Sequence, residues 1–243
     1  MMKEVTPSTV PDSLLGEIQA LVRLYRGEPV LEDYAPGSPE TVVVLGTQVL
    51  PGGRSRRMGR DKLPLKIGDA ALLDRVHGAL ASRCEEILIV GDGGYVPAGA
   101  RRISDLRSSR QGPLAGIEAG LFAARHRSIF VAAGDMPFLA DDLVRHLLGF
   151  LSDNVSAVVP DLGGPHPLCA AYRREVLSAA SAALDRGVRS VRELLENLPG
   201  VRYVGEKELR HFGDPNLLLT NVNSPEDLDR ARAALREGAI RRR

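Results

Sequence analysis

The sequence predicts an open, mostly parallel α/β sheet covered by helices, and three observations carry that expectation. Aliphatic runs at Thr41-Val-Val-Val-Leu-Gly46, Glu86-Ile-Leu-Ile-Val-Gly-Asp92 and Ser128-Ile-Phe-Val-Ala-Ala-Gly-Asp135 each end on Gly or Asp. Continuous apolar runs of this length suit strands buried on both faces. Helical spacing lies between them, at Leu72, Leu73, Val76 and Leu80 and again at Ile117, Leu121 and Ala124. The length, 243 residues, suits one large α/β domain with an appendage and is too short for two full-sized domains.

Taken in order, residues 12–25 form an amphipathic helix through Leu14, Leu15, Ile18, Leu21, Val22 and Tyr25, and residues 27–40, with three prolines and two glycines, form a linker. After the three strands and their helices, a further helix is expected over 140–151, with Leu143, Leu147 and Leu148 on one face. The second half reads as strands at 156–160, 167–172, 201–204 and 217–220, with helices at 176–184 and from Val191 to Leu198. Pro199-Gly200 stops the latter. Ser224-Pro225-Glu226-Asp227 opens the last helix, with Ser as N-cap, Pro in the first helical position and acids in the first turn. Residues 237–243 are a basic tail.

A net charge of +1, from 32 Lys and Arg against 31 Asp and Glu, argues against a nucleic-acid coat or a polybasic membrane binder. The apolar runs fall far below the ~18 residues that span a bilayer, and the start lacks the apolar core of a secretory signal. Cys84 and Cys169 have neither metal-site nor disulfide spacing, so a cytoplasmic chain is expected.

Strand, helix, strand order gathers the Gly and Asp endings at one sheet edge, where ligands bind in such folds. After the first strand, Gly52-Gly-Arg-Ser-Arg-Arg-Met-Gly-Arg-Asp-Lys62 holds three glycines, four arginines and a lysine. It fits neither the ATPase P-loop nor the dinucleotide fingerprint. It is either a basic surface turn or a loop whose N–H groups and cations receive phosphates. Asp135 either caps the turn of Gly134-Asp135-Met136-Pro137 or holds a hard cation such as Mg²⁺, which takes one or two carboxylates plus phosphate oxygens and water. Asp105 is a second acid at this edge or a plain loop residue, and Gly112-Pro113 starts a helix whose N-terminus favours anions. His166, in Gly163-Gly-Pro-His-Pro167, is a general base or part of a rigid turn, and no Ser or Cys nucleophile pairs with it.

These segments together resemble the molybdenum cofactor guanylyltransferases of the nucleotidyltransferase superfamily. The likeness runs from about Val42 to Ala231 through the Gly52–Lys62 loop, Asp105, Gly112-Pro-Leu-Ala-Gly116, Asp135-Met-Pro-Phe-Leu139, His166-Pro-Leu-Cys-Ala170 and Asn221-Val-Asn-Ser-Pro-Glu-Asp227. The resemblance implies a three-layer, Rossmann-like α/β/α nucleotidyltransferase domain over residues 40–236, with 1–39 as a helical extension and linker. It implies transfer of GMP from GTP to molybdopterin with release of pyrophosphate, and delivery of the product to molybdoenzymes or their chaperones.

By position, Leu50, Pro51, Gly52 and Gly53 would cradle the nucleotide, Lys62 would neutralise its phosphates and Asp105 would contact it. Asp135 would bind Mg²⁺, with Lys62 and Asp135 as the catalytic pair. Asn221, Asn223 and His166 would lie on the pterin side. The family reads Leu-Ala-Gly-Gly where this chain has Leu50-Pro51-Gly52-Gly53, and proline removes one backbone donor. The family's guanine-pocket Asn is replaced by the stretch Val90-Gly91-Asp92. A different base, as in cytidylyl transfer to the same pterin, or a nucleotide-binding member without turnover are the alternatives.

Overall fold

A computed structural model describes residues 41–45, 65–81, 84–91, 96–107 and 111–236. The expected N-terminal helix and linker, the Leu50–Lys62 segment, Asp92 and the basic tail lie outside the described residues. The strands are β1 (Thr41–Leu45), β2 (Lys66–Ile67), β3 (Ala70–Ala71), β4 (Glu86–Val90), β5 (Arg101–Ile103), β6 (Ser128–Ala133), β7 (Ala157–Asp161), β8 (Cys169–Arg173) and β9 (Val201–Gly205). The helices are α1 (Leu72–Ala81), α2 (Pro113–Ala123), α3 (Asp141–Leu148), α4 (Val176–Asp185), α5 (Val191–Glu196), α6 (Glu206–Leu209), α7 (Pro215–Leu218) and α8 (Pro225–Arg236).

The main sheet runs β5-β4-β1-β6-β8-β7-β9. Pairing is parallel for β5 with β4, β4 with β1, β1 with β6 and β7 with β9, whereas β8 runs antiparallel to β6 and β7. Six strands of this sheet therefore point one way, and the mostly parallel sheet expected from the apolar runs is what forms. Alternation along each central strand divides the core into two layers. Ile87 and Ile89 of β4, with Phe130 and Ala132 of β6, pack beneath α1 and α3. Leu88, Val90, Ile129 and Val131 point the other way, beneath α2, α4 and α5. Helices on both faces make the three-layer sandwich.

Helix α2 is buried from Leu114 to Leu121, so its backbone lies close to the sheet. Gly120 makes that approach possible: a Cβ there would lie 2.4 Å from Cγ1 of the fully buried Val43. The two-residue hairpin turn between β2 and β3 has Gly68 at its first position with φ +66°, a backbone that glycine adopts without strain.

The short β2–β3 hairpin and helix α6 are additional to the expected elements, and three further elements differ. Leu217–Thr220 is not a strand; α7 occupies Pro215–Leu218, because Asp214 caps it by accepting from the Asn216 N–H (3.0 Å) and Pro215 presets its first turn. The unexpected strand β5 carries Arg101-Arg102-Ile103, which has no apolar run because it lies at the sheet edge. Helix α3 ends at Leu148 instead of 151, with Gly149 as its C-cap.

Replacing Gly120 with Ala tests the close approach. The methyl group overpacks against Val43, and the improved helix propensity offsets only part of that, for a net loss of about 2 kcal/mol. Urea melts of Gly120→Ala, Val43→Ala and the double variant should show the double variant more stable than the sum of the singles.

Candidate functional site

The parallel register sets the site. Leu45 stands level with Val90 on one side and Ala133 on the other, so β4, β1 and β6 end together at one rim. Gly91 (φ +132°) turns the chain at the end of β4, donates to the Ile103 carbonyl at 3.0 Å and accepts from the Arg102 guanidinium at 2.8 Å. Val90 itself is buried under α2 and presents no side chain to the rim.

At the end of β6 the chain turns through Gly134 and Asp135, and Met136, Phe138 and Leu139 go straight back into the core. Asp135 is only 4% exposed. Its carbonyl accepts the Val222 N–H at 2.9 Å, which joins the turn to the Asn221-Val222-Asn223 segment. Val222 is fully buried, in a third small core with Ile67, Leu72, Phe138, Leu228 and Ala231, and Leu65 packs against it. Asn221 and Asn223 on either side are exposed. The buried Val222 thus pins two exposed asparagines beside the Asp135 turn. The chain that enters the same small core at Leu65 comes directly from the Lys62 segment.

The asparagine pair is held from its other side too. Asp227 Oδ2 accepts the N–H groups of Asn223 and Ser224, each at 2.9 Å, while Ser224 Oγ accepts the Asp227 N–H at 3.2 Å. Ser224 as N-cap is what the Ser224-Pro225-Glu226-Asp227 pattern predicts, and the bonds to Asp227 make the cap reciprocal. Burial pushes the Asp227 carboxyl up, but the Asn223 N–H, the Arg230 guanidinium and Ser224 outweigh it and hold it below its usual range.

His166 sits in the β7–β8 turn at the same rim. The Leu168 carbonyl in that turn accepts the Ala133 N–H at 2.8 Å, next to the Asp135 turn. The turn is stiff: the His166 N–H donates to Pro160 O (2.8 Å), and the buried Tyr172 hydroxyl donates to Pro167 O (2.8 Å). The His166 ring Nε2 lies 3.2 Å from the Leu162 carbonyl oxygen, an acceptor, so Nε2 must donate. That ties the ring to its own turn. Cys169 is a core residue whose thiol burial pushes up to about 12, so it stays protonated at neutral pH.

Asp105 is half-buried and lies two residues past β5. Strands β4 and β1 separate β5 from β6, which puts those two strand tips three spacings, about 14 Å, apart. Each acid lies two residues beyond its strand, so the two are carried to the rim by different strands.

Sequence reasoning missed the ion pair beside Asp105. Arg107 donates through Nε and Nη2 to the two carboxylate oxygens of Glu118, both at 2.7 Å. It also donates through Nη1 to Asp185 (2.7 Å) and through Nη2 to the Ser181 carbonyl (3.3 Å). Glu118 is 3% exposed, and it and Asp185 push the Arg107 guanidinium further above its usual range. The sequence does carry one signal: Glu118 is the sole charge in Pro-Leu-Ala-Gly-Ile-Glu-Ala-Gly-Leu-Phe-Ala, and an acid within an apolar helix needs a partner.

Among the described residues the rim thus gathers Asp135, Asn221, Asn223 and His166 on one side, with Asp105 farther along. Leu50, Pro51, Gly52, Gly53 and Lys62 lie outside the described residues. Residues 47–201 match the MobA-like NTP transferase domain family, which sets the class of enzyme. A molybdenum cofactor guanylyltransferase from Desulfosudis oleivorans is 36% identical over 197 residues, 79% of this chain and 96% of that protein. A probable molybdenum cofactor guanylyltransferase from Pelotomaculum thermopropionicum is also 36% identical, covering 76% of this chain and 90% of its own. The crystal structure of molybdopterin-guanine dinucleotide biosynthesis protein A from Archaeoglobus fulgidus superposes with a TM-score of 0.68 at 28% identity, over 81% of this chain and 99% of that one. The chain belongs to the molybdenum cofactor guanylyltransferases of the MobA-like NTP transferase family.

The Asp227 cap predicts an acid-dependent stability. A carboxyl held below its unfolded value of about 3.9 stabilises the fold fully above about pH 5 and loses that contribution as the pH falls through the depressed value. Asp227→Asn should lower the melting temperature at pH 7, and the gap from the parent chain should narrow below about pH 4.

Proposed function

We infer that this enzyme transfers GMP from GTP to the terminal phosphate of molybdopterin and releases pyrophosphate. A phosphate oxygen of the pterin attacks the α-phosphorus of GTP, the bond from that phosphorus to the bridging oxygen breaks, and pyrophosphate leaves with the electron pair. The acceptor is already a nucleophile, so the protein's task is to align two anionic substrates and stabilise the charge that develops.

The observation that carries this reading is the hydrogen bond from Val222 to the Asp135 carbonyl, which sets a buried carboxylate beside two exposed amide side chains. In our assignment Asp135 faces the triphosphate, and Asn221 and Asn223 offer donors and acceptors to the pterin, with the His166 turn as a rigid wall. Asp105 contacts the nucleoside end. The Leu50-Pro51-Gly52-Gly53 segment and Lys62 cradle and neutralise the phosphates.

Asp135 fits a Mg²⁺ ion of the kind found at nucleotide sites: its carboxylate would hold the ion, with the substrate's phosphate oxygens and water as the other ligands. Among the described residues no group of three or more His, Cys, Asp or Glu side chains gathers, and a cation held largely by its substrate needs none. When bound, Mg²⁺ would supply positive charge against that of the triphosphate. Asp135 is held for this by its backbone, since its own carbonyl is tied to Val222 and the residues after it are core.

A nucleoside triphosphate substrate and a buried reduced thiol at Cys169 fit a cytoplasmic enzyme. No helix among the described residues is long and apolar enough to cross a membrane.

Asp135→Ala should reduce pyrophosphate release from GTP and molybdopterin by at least about a thousand-fold while the melting temperature changes by only a few degrees. Titration with GTP and CTP in Mg²⁺ tests the base. Tight CTP binding with none for GTP would replace guanylyl by cytidylyl transfer, and GTP binding without turnover would point to a nucleotide carrier.

A further inference from the structure

The Arg107–Glu118 pair is placed where it can control Asp105. On one side of Asp105 the chain is fixed at Ile103, which pairs with Val90 and accepts the Gly91 N–H. On the other side it is fixed at Arg107 by four hydrogen bonds to α2 and α4. Only Ser104, Asp105 and Leu106 lie between these two anchors, whose Cα atoms can be at most about 14 Å apart at full extension. Both ends of the short segment that carries Asp105 are therefore tied to the body of the fold.

Stability does not account for this arrangement. A buried ion pair is often no more stabilising than an apolar pair of the same volume. What the pair supplies beyond packing is direction, since a bidentate guanidinium–carboxylate contact fixes both distance and angle. Glu118 lies in the second turn of α2, whose first residue, Pro113, is at the rim. One contact therefore ties the segment that carries Asp105 to the helix that starts at the same rim.

We propose that Arg107 and Glu118 are positioning residues that hold Asp105 in register with the N-terminus of α2 for binding of the nucleoside end of GTP. This rests on the assignment of Asp105 to the nucleotide. Neither residue touches the reacting atoms, so their removal weakens GTP binding and leaves the chemical step.

Single truncations strand a buried charge and risk unfolding, so the test is the full-length Arg107→Met/Glu118→Met double variant, beside Asp105→Asn. The double variant should melt within a few degrees of the parent chain. It should raise the KM for GTP about ten-fold, with kcat at saturating GTP within about two-fold and the KM for molybdopterin unchanged. A general loss of folded enzyme would instead lower apparent kcat and leave KM alone. A folded double variant with the parent KM for GTP overturns the positioning role while leaving the Asp105 assignment intact, provided Asp105→Asn raises that KM. If Asp105→Asn also has the parent KM, the assignment fails and the positioning role with it.

Discussion

The hydrogen bond between the Val222 N–H and the Asp135 carbonyl is the constraint on which the candidate site depends. It joins two segments more than eighty residues apart in a place where both are buried. A backbone bond of this kind contributes only about 1 kcal/mol net, but leaving its donor and acceptor buried and unpaired costs about 1–3 kcal/mol. The second figure governs the geometry. With Val222 sealed in its small core beside Phe138, the carbonyl of Asp135 has one place to be, and so have the two asparagines.

The hydrophobic effect brings α2 to the sheet but does not say where along its own axis the helix should stop, because apolar burial has no direction. Two buried glutamates supply that information. At the far end of the sheet Glu86 accepts from the Arg125 N–H (2.9 Å), the Arg125 guanidinium (3.1 Å) and Arg101 (3.0 Å), and Arg101 also donates to Ala123 O at 3.1 Å. These contacts fix the C-terminal turn of α2. Glu118 and Arg107 fix its N-terminal half, and Gly120 between them lets the helix lie close over Val43. Charges are buried here only where they have partners, and the partners lie on neighbouring elements, so the ion pairs act across the layers of the fold.

Legibility in the sequence followed the physics of each element. The central strands β4 and β6 are buried on both faces and, like β1, read as unbroken aliphatic runs, so the presence of all three and their shared rim follow from the residue pattern alone. The edge strand β5 does not, since Arg101 and Arg102 are what an edge strand tolerates. The Leu217–Thr220 run misled because three leucines resemble a buried strand, whereas Asp214-Pro215 immediately before them is a helix start and prevailed. The acids and asparagines could be selected from the sequence by type and motif. Their neighbourhood could not, because it rests on long-range contacts: Val222 with Asp135, Leu168 with Ala133, Arg107 with Asp185. Motif and fold thus carried different halves of the site.

The rim lies at the junction of three separately packed cores, and this bears on how such an enzyme can be precise. Asp105 and the start of α2 take their positions from the layer that includes Val90 and Val191; the Asp135 turn takes its own from the opposite layer through Met136 and Leu139. The asparagines and the return of the chain at Leu65 depend on the small third core. Each core is close-packed, so the distances that matter for an in-line displacement are set by how the cores meet. The few polar bonds that cross from one core to another therefore carry the precision of the site, although each is worth little to the stability of the whole. An enzyme whose chemistry is alignment and charge stabilisation should be most sensitive to loss of those crossing bonds, more so than to a methylene lost inside any one core.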